Sequence, residues 1–324
     1  MASEIKPAGI VLMAAPVHPV LADGLEALGY TLRYPEKLSQ ETAGALLADC
    51  VGVITSTRLQ LNKELLAAAP GLHWIGRMGS GLEVIDLEAA AAQGVQVFAS
   101  PDGNCNAVAE HALGMLLALQ KKIPSSAAEV SAGKWLREEN RGEELEGKTV
   151  GLIGFGHTGR AFAKLLQGFE VTILAYDPYN HYPDPAYVQR ATLAEIQKRA
   201  DVLSFHVPMR PDTRYYFDAA FLEALERPVI LLNTARGEVV NSAVLEAGIN
   251  NGKIKGAGID VWEGEPLPAM PADEKARVLR LAQEEVVIIT PHIAGYSHEA
   301  LYKMSYSLLY KLSNKLMPRP LEGL

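Results

Sequence analysis

Three side chains suited to acid–base and anion chemistry, Arg236, Glu265 and His292, stand in loops that follow short apolar runs. The run at 229–233 leads into TARGE, which carries Arg236. The run at 258–261 holds Asp260 within GIDVWEGEP, with Glu265 in the loop beyond. The run at 286–290 leads into PHIAG, which carries His292. Arginine suits a substrate carboxylate because its planar guanidinium makes two parallel, charge-assisted hydrogen bonds. Histidine titrates nearest neutral pH and is the usual proton donor or acceptor in catalysis. A carboxylate beside it favours the imidazolium and fixes its tautomer. Singly, each residue fits a surface charge or a solvated loop equally well. Taken together, after successive strands of a sheet whose ligands bind beyond the strands' carboxyl ends, they point to one crevice.

The same crevice should hold a glycine loop. KTVGLIGFGHTGRAFAKLL places Gly154, Gly156 and Gly159 in a GxGxxG pattern, after a strand at 149–153 and ahead of a helix at 160–166. Gly154 permits a tight turn, Gly156 lets backbone approach a pyrophosphate, and Gly159 lets helix and strand pack closely. The helix N-terminus, with His157 and Thr158, offers unpaired N–H groups to the phosphates. A second strand, at 171–176, ends at Asp177, placed to accept hydrogen bonds from ribose hydroxyls and to repel a 2′-phosphate. No arginine follows it in DPYNHY, so the pattern favours NAD over NADP. The alternative is a glycine turn with no ligand beside a surface aspartate.

These groups need a scaffold of alternating strands and helices, and the chain supplies one. β-Branched runs at 9–14, 30–34, 51–55, 72–77 and 95–99 alternate with helical stretches such as 21–28 and 82–93. A long apolar helix is expected from 107 to about 121, then a polar connecting arm at 123–148. A second alternating series runs from 148 to 290, and SHEALYKMSYSLLYKLSNKL closes the chain as an amphipathic helix. With 324 residues there is room for two cores. A formal net charge of −8 argues against a nucleic-acid surface. No window is apolar enough to span a membrane, and the N-terminus reads as a first strand rather than a secretion signal. Cys50 and Cys105 give neither a disulfide framework nor zinc spacing, so no metal site and a reducing, cytoplasmic location are expected. Cys105 reads as a small packing residue.

GLIGFGHTGR, DVLSFHVPMRPDTR, LLNTARGEVV, GAGIDVWEGEP and TPHIAG, in this order and spacing, resemble the D-isomer-specific 2-hydroxyacid dehydrogenases over nearly the whole chain. The resemblance implies an α/β fold of two domains: a Rossmann-type doubly wound parallel sheet, 106–295, inserted into a flavodoxin-like α/β substrate domain, 1–105 and 296–324, with a mobile cleft between them. It implies hydride transfer between nicotinamide and C2 of a small 2-hydroxy or 2-keto acid. His292 is then the acid/base, Glu265 its partner, and Arg236 the group that holds the substrate carboxylate. It places Asp260 near the nicotinamide carboxamide. His206, Val207 and Pro208 line the adenine side, and Thr213, Thr234, Ala235 and Gly295 are further cofactor contacts. Substrate contacts are implied at the backbone N–H groups of Met78, Gly79 and Ser80 in GRMGSGLEVID, and at Asn104 in GNCNAVAEH.

The overall likeness is strongest to short phosphoglycerate dehydrogenases, whose longer versions carry a C-terminal regulatory domain. Arg58 in ITSTRLQLNKELL lines up with one arginine of their phosphate clamp, while Ser56 stands where another basic residue is common. Hydroxypyruvate and glyoxylate remain open as substrates. Glu265 separates the chain from formate dehydrogenases, which carry glutamine there. An NAD-sensing corepressor role is a further alternative; the disordered tails usual in such proteins are not expected, since the chain ends soon after PRP. A homodimer is implied, formed through the NAD-binding domain, with the arm at 123–148 and its Trp135 reaching a partner.

Overall fold

A computed structural model describes residues 9–179 and 184–316. The start of the N-terminal segment, residues 180–182 of DPYNHY and the PRP tail lie outside these. Among the described residues two sheets form, and every strand pairing in both is parallel. The first contains β1 (Gly9–Met13), β2 (Tyr30–Arg33), β3 (Cys50–Thr55), β4 (Trp74–Arg77) and β5 (Gln96–Ala99), in the order β2-β1-β3-β4-β5. The second contains β6 (Thr149–Ile153), β7 (Thr172–Tyr176), β8 (Val188–Arg190), β9 (Val202–Phe205), β10 (Val229–Asn233), β11 (Ile254–Ile259) and β12 (Val287–Ile289). Their order is β12-β11-β10-β9-β6-β7-β8. Both are doubly wound orders, reversing direction between β1 and β3 and between β6 and β9.

Parallel strands covered by helices on both faces must be apolar at consecutive positions. VILLN of β10 and VLSF of β9 are accordingly buried throughout. Ile153, Leu203 and Leu231 pack into the core on one face of the larger sheet, and Leu152, Val202 and Leu232 into the core on the other. The chain divides into two compact units, one reaching Asn104 and resuming at Tyr296, the other Cys105–Gly295. The return is made by the helix His298–Leu316. Its Leu308, Leu309 and Leu312 share a core with Val11, Leu21 and Leu25. It approaches so closely that a Cβ on Gly24 would lie 2.4 Å from Leu309 Cδ2. No described helix is long and apolar enough to cross a membrane.

Several elements depart from the sequence reading. The arm at 123–148 begins with a helix, Ile123–Ser131, that buries none of its residues. The helix is short and its Ile123 and Val130 stay exposed, so no core marks it out from the polar residues that follow. The strand placed at 258–261 is Ile254–Ile259, so Asp260 lies just past its end. Glycine hides this strand from a propensity reading. Gly258 is needed because a Cβ there would come 2.8 Å from Leu232 Cδ2 and 3.1 Å from Met115 Cβ. The glycine-loop helix starts earlier than expected, at His157. The three-residue edge strand β8, with one buried side chain, was not anticipated.

Candidate active site

Six loops beyond the carboxyl ends of strands, after β6, β7, β9, β10, β11 and β12, carry the predicted chemistry of the seven-stranded unit. The glycine loop follows β6 at the point where strand order reverses. Gly154 has φ +93, a left-handed conformation that glycine adopts without penalty. A Cβ there would lie 2.6 Å from the His206 carbonyl oxygen, and one on Gly159 would lie 2.4 Å from the Gly154 oxygen. Gly156 is different. It needs no special φ, and a Cβ there would meet nothing within 4 Å. Its missing side chain therefore leaves backbone open on the approach to the helix His157–Leu166, whose N-terminus has no side-chain cap. An anion fits that opening. Asp177, after β7, accepts from Phe155 N (2.8 Å) and Tyr179 N (2.9 Å). These bonds fix the carboxylate beside the loop, and each oxygen retains a lone pair for a ribose hydroxyl.

The loop after β9 is tied to the same place. His206 is buried, its Nε2 is 2.9 Å from Ser204 Oγ, and its Nδ1 has no partner. Burial pushes its pKa down to about 4, so the ring is neutral at physiological pH. Thr234 Oγ1, after β10, and Asn104 Oδ1, at the end of the five-stranded unit's first segment, are likewise buried without a partner. Orphaned polar atoms of this kind are rare in folded proteins, and a ligand with matching polar groups would satisfy them. Within the seven-stranded unit, Gly156's open backbone and the His206 and Thr234 atoms fit a dinucleotide.

Arg236 is presented by a turn that Asn233 builds. The buried Asn233 amide accepts from Ala235 N (3.1 Å) and donates to the Arg236 carbonyl (2.9 Å). Gly237 then lets this turn lie against the next loop, since a Cβ there would be 2.2 Å from the Trp262 carbonyl carbon. Glu265 is held in turn by Trp262, whose N–H donates to Oε2 at 3.1 Å. Its other oxygen, Oε1, bonds His292 Nδ1, leaving Nε2 without a hydrogen bond among the described residues. The Glu265 hydrogen bond raises the His292 pKa above the ordinary 6.5. Partial burial opposes this, the Glu265 and Asp260 charges reinforce it, and the Arg236 charge opposes it. Arg236, Glu265 and His292 follow the neighbouring strands β10, β11 and β12. An acid, its carboxylate partner and a fixed cation meet at one strand-end cluster.

His292 has φ +56, a left-handed conformation that costs a non-glycine residue about 1–2 kcal/mol. Asp260 explains how it is held. Its N–H donates to Asn233 O, its carbonyl accepts from His292 N (2.8 Å), and its carboxylate accepts from Ile293 N (2.9 Å), Ala294 N (2.8 Å) and Thr290 Oγ1 (2.5 Å). The Asp260 side chain is 2% exposed, and three of its carboxylate lone pairs bind the loop that carries His292, which leaves one, on Oδ2, for the nicotinamide contact expected there. Thr213 is buried, its hydroxyl donating to Pro208 O and accepting from Arg210 N. Val207, Pro208, Ala235 and Gly295 are in the strand-end loops, where only Ala235 is fully buried.

In the five-stranded unit, two of the three expected anion-binding N–H groups are already engaged. Met78 N donates to Thr55 O as an extension of the sheet, and Gly79 N to the Ser100 hydroxyl. Ser80 N makes no hydrogen bond among the described residues. Gly79 is fixed by φ +130 and by the Arg77 guanidinium, 2.0 Å from where a Cβ would stand. Arg58 is exposed and makes no hydrogen bond or ion pair among the described residues. It lines a cleft of about 590 Å³ beyond the ends of β1, β2 and β3, with Tyr34, Asp23 and Glu36. Sequence reasoning missed Asn233, Gly237, Trp262, Thr290 and His111, which act through backbone or through other side chains. Only the NTARG and TPH strings hinted at any of them.

Comparison with known proteins agrees with this geometry. Residues 113–294 match the family described as D-isomer specific 2-hydroxyacid dehydrogenase, NAD binding domain. The chain is 34% identical over 297 residues to D-3-phosphoglycerate dehydrogenase of Haemophilus influenzae, covering 91% of this chain and 72% of that protein. It is 36% identical over 267 residues to (S)-sulfolactate dehydrogenase of Chromohalobacter salexigens, covering 81% and 84%. Other phosphoglycerate dehydrogenases it matches are longer, and the chain spans 54% to 57% of them. A crystal structure of D-lactate dehydrogenase from Aquifex aeolicus, complexed with NAD and lactic acid, superposes with a TM-score of 0.82 at 26% identity, over 95% of each chain.

Proposed function

Because the chain belongs to the D-isomer-specific 2-hydroxyacid dehydrogenase family, we propose that it is an NAD-dependent oxidoreductase interconverting a small 2-hydroxy acid and its 2-keto acid. The observation that carries this reading is the His292–Glu265 pair, set with Arg236 in loops beyond three adjacent strands of a dinucleotide-type sheet. The seven-stranded unit is the NAD-binding domain and the five-stranded unit the substrate domain.

The glycine loop and the helix at His157 hold the pyrophosphate, Asp177 the adenosine ribose, and the loop from His206 to Pro208 the adenine side. The chemistry NAD supplies when bound is hydride transfer. Arg236 takes the substrate carboxylate in its planar fork and polarises the carbonyl at C2. In reduction, His292 gives the Nε2 proton to the carbonyl oxygen as the alcohol forms. In oxidation it takes that proton back. Glu265 stabilises the imidazolium and keeps a proton on Nδ1, so that Nε2 faces the reacting oxygen in either direction.

The substrate we place first is 3-phosphoglycerate, with Arg58 as the cation for its distal anion. A second reading, sulfolactate, is favoured by the lining of the Arg58 cleft. Arg58 is its one cationic side chain, and Asp23 and Glu36 stand in the same lining. A sulfonate carries one charge where a phosphate monoester carries about 1.5 to 2, so it demands less compensation. NADH oxidation with phosphohydroxypyruvate, sulfopyruvate, hydroxypyruvate and glyoxylate tests both. One of the two doubly anionic acids should give the highest kcat/KM, and Arg58→Ala should lower that value at least tenfold while sparing glyoxylate. If glyoxylate proves the best substrate, or Arg58→Ala changes nothing, the distal-anion reading is wrong. A homodimer is proposed through the arm, whose Ile123, Val130 and Trp135 are 54%, 54% and 78% exposed. A monomeric mass by solution scattering would overturn it.

A further inference from the structure

Besides Glu265 and Asp260, a polar side chain on a helix reaches the loop that carries His292. His111 lies on the helix Cys105–Gln120, which packs against β10, β11 and β12. Its Nε2 is 3.0 Å from Thr290 Oγ1 and 3.6 Å from Asp260 Oδ1. Thr290 has one hydroxyl proton, and at 2.5 Å it goes to the Asp260 carboxylate, which cannot donate. The hydroxyl therefore accepts from His111, whose Nε2 carries a proton. A directed chain results: His111 donates to Thr290, Thr290 donates to Asp260, and Asp260 gathers the consecutive N–H groups of Ile293 and Ala294 that follow His292.

We propose that His111 is a positioning residue for the proton-transferring His292, acting through Thr290 and Asp260 to keep residues 290–294 in their strained turn. The proposal rests on the function assigned above. Three observations argue it. His292 is held in a left-handed conformation that must be over-determined to persist. Asp260, which provides most of that hold, is buried and takes a donor from a side chain that only His111 orients. His111 is also the helix residue joining this turn to the element that begins at Cys105, so the helix and the catalytic loop are braced against each other. The charged groups acting on His292 are the carboxylates of Glu265 and Asp260 and the guanidinium of Arg236. His111 alters their balance by moving the turn rather than by adding a charge.

The test uses His111→Leu, which removes the donor at similar volume, His111→Gln, whose amide can reach Thr290 as Nε2 does, and Thr290→Val, which removes the hydroxyl isosterically. We expect His111→Leu and Thr290→Val each to lower kcat at least tenfold with KM for NADH within twofold. The alkaline limb of the reductive pH profile should move to lower pH, and His111→Gln should recover most of both effects. In cofactor-free protein, the NMR titration of the His292 ring should move in the same direction. If the His111→Leu profile and ring titration superimpose on the wild type, the proposal is overturned. A loss of stability with unchanged pH profile, or no recovery in His111→Gln, overturns it equally, since either would mean packing alone. A wild-type chain that oxidises no NADH with any 2-keto acid would refute the assigned function instead, while the ring titration would still decide the positioning role.

Discussion

Replacing Glu265 with glutamine isolates the part that charge plays at the active site. The variant keeps side-chain length and an oxygen for the Trp262 N–H, so the loop should stay in place while the carboxylate beside His292 Nδ1 is lost. A hydrogen bond to a charged group contributes about 1.5–3 kcal/mol. The His292 and Glu265 side chains are 43% and 34% exposed, so solvent screening places this pair at the lower end of that range. With tenfold in rate for each 1.36 kcal/mol or so, kcat for hydroxy-acid oxidation should fall about tenfold, because the imidazolium that forms in that direction has lost its partner. In reduction His292 must start protonated. Glu265 raises its pKa above 6.5, so the alkaline limb of the reductive profile should move to lower pH in the variant. Stability follows the same sign. A raised folded-state pKa contributes stability that is fully present below about 6.5 and is lost as pH rises through the raised value. The melting-temperature gap between wild type and variant should therefore be widest in acid and close in alkali. Stopped-flow single turnovers in both directions, with melting curves from pH 5 to about 10, measure all three. Superimposable reductive profiles, with an oxidative rate within twofold of wild type, would show that Glu265 is not the partner of the catalytic imidazole.

His292→Ala should lower turnover at least about a hundredfold with NADH affinity little changed, and an unaffected rate would mean that another group supplies the proton. Gly156→Ala should leave the melting temperature of the cofactor-free protein unchanged, since its Cβ would meet no protein atom, yet weaken NADH binding measured by fluorescence. Gly159→Ala, which forces a Cβ against the Gly154 carbonyl, should instead destabilise the protein itself by about 1–3 kcal/mol. The opposite pattern would mean the glycine loop does not receive the pyrophosphate. Asp177→Ala should weaken NAD more than NADP in competition titrations, and equal losses would show that the carboxylate never meets the ribose.

What the sequence by itself determined was the chemistry and its address on the fold. Parallel strands buried on both faces must be written as continuous apolar runs, so their ends are legible, and a titratable residue just past such an end stands out. Arg236, Glu265, His292 and the GxGxxG turn were all visible in this way. Tertiary structure alone decided which polar atoms remain available. Met78 and Gly79 read as anion-binding backbone from their place in a motif, but Thr55 on a neighbouring strand and Ser100, 21 residues on, engage their N–H groups. It also decided how His292 is aimed. The brace from His111 joins residues 179 positions apart. A lone histidine in a helix gives no sign in one dimension that its ring will meet a threonine at the end of a strand. Residue type and spacing encode the groups that react; the hydrogen-bond capacity left to each depends on its neighbours in space, which no local pattern records.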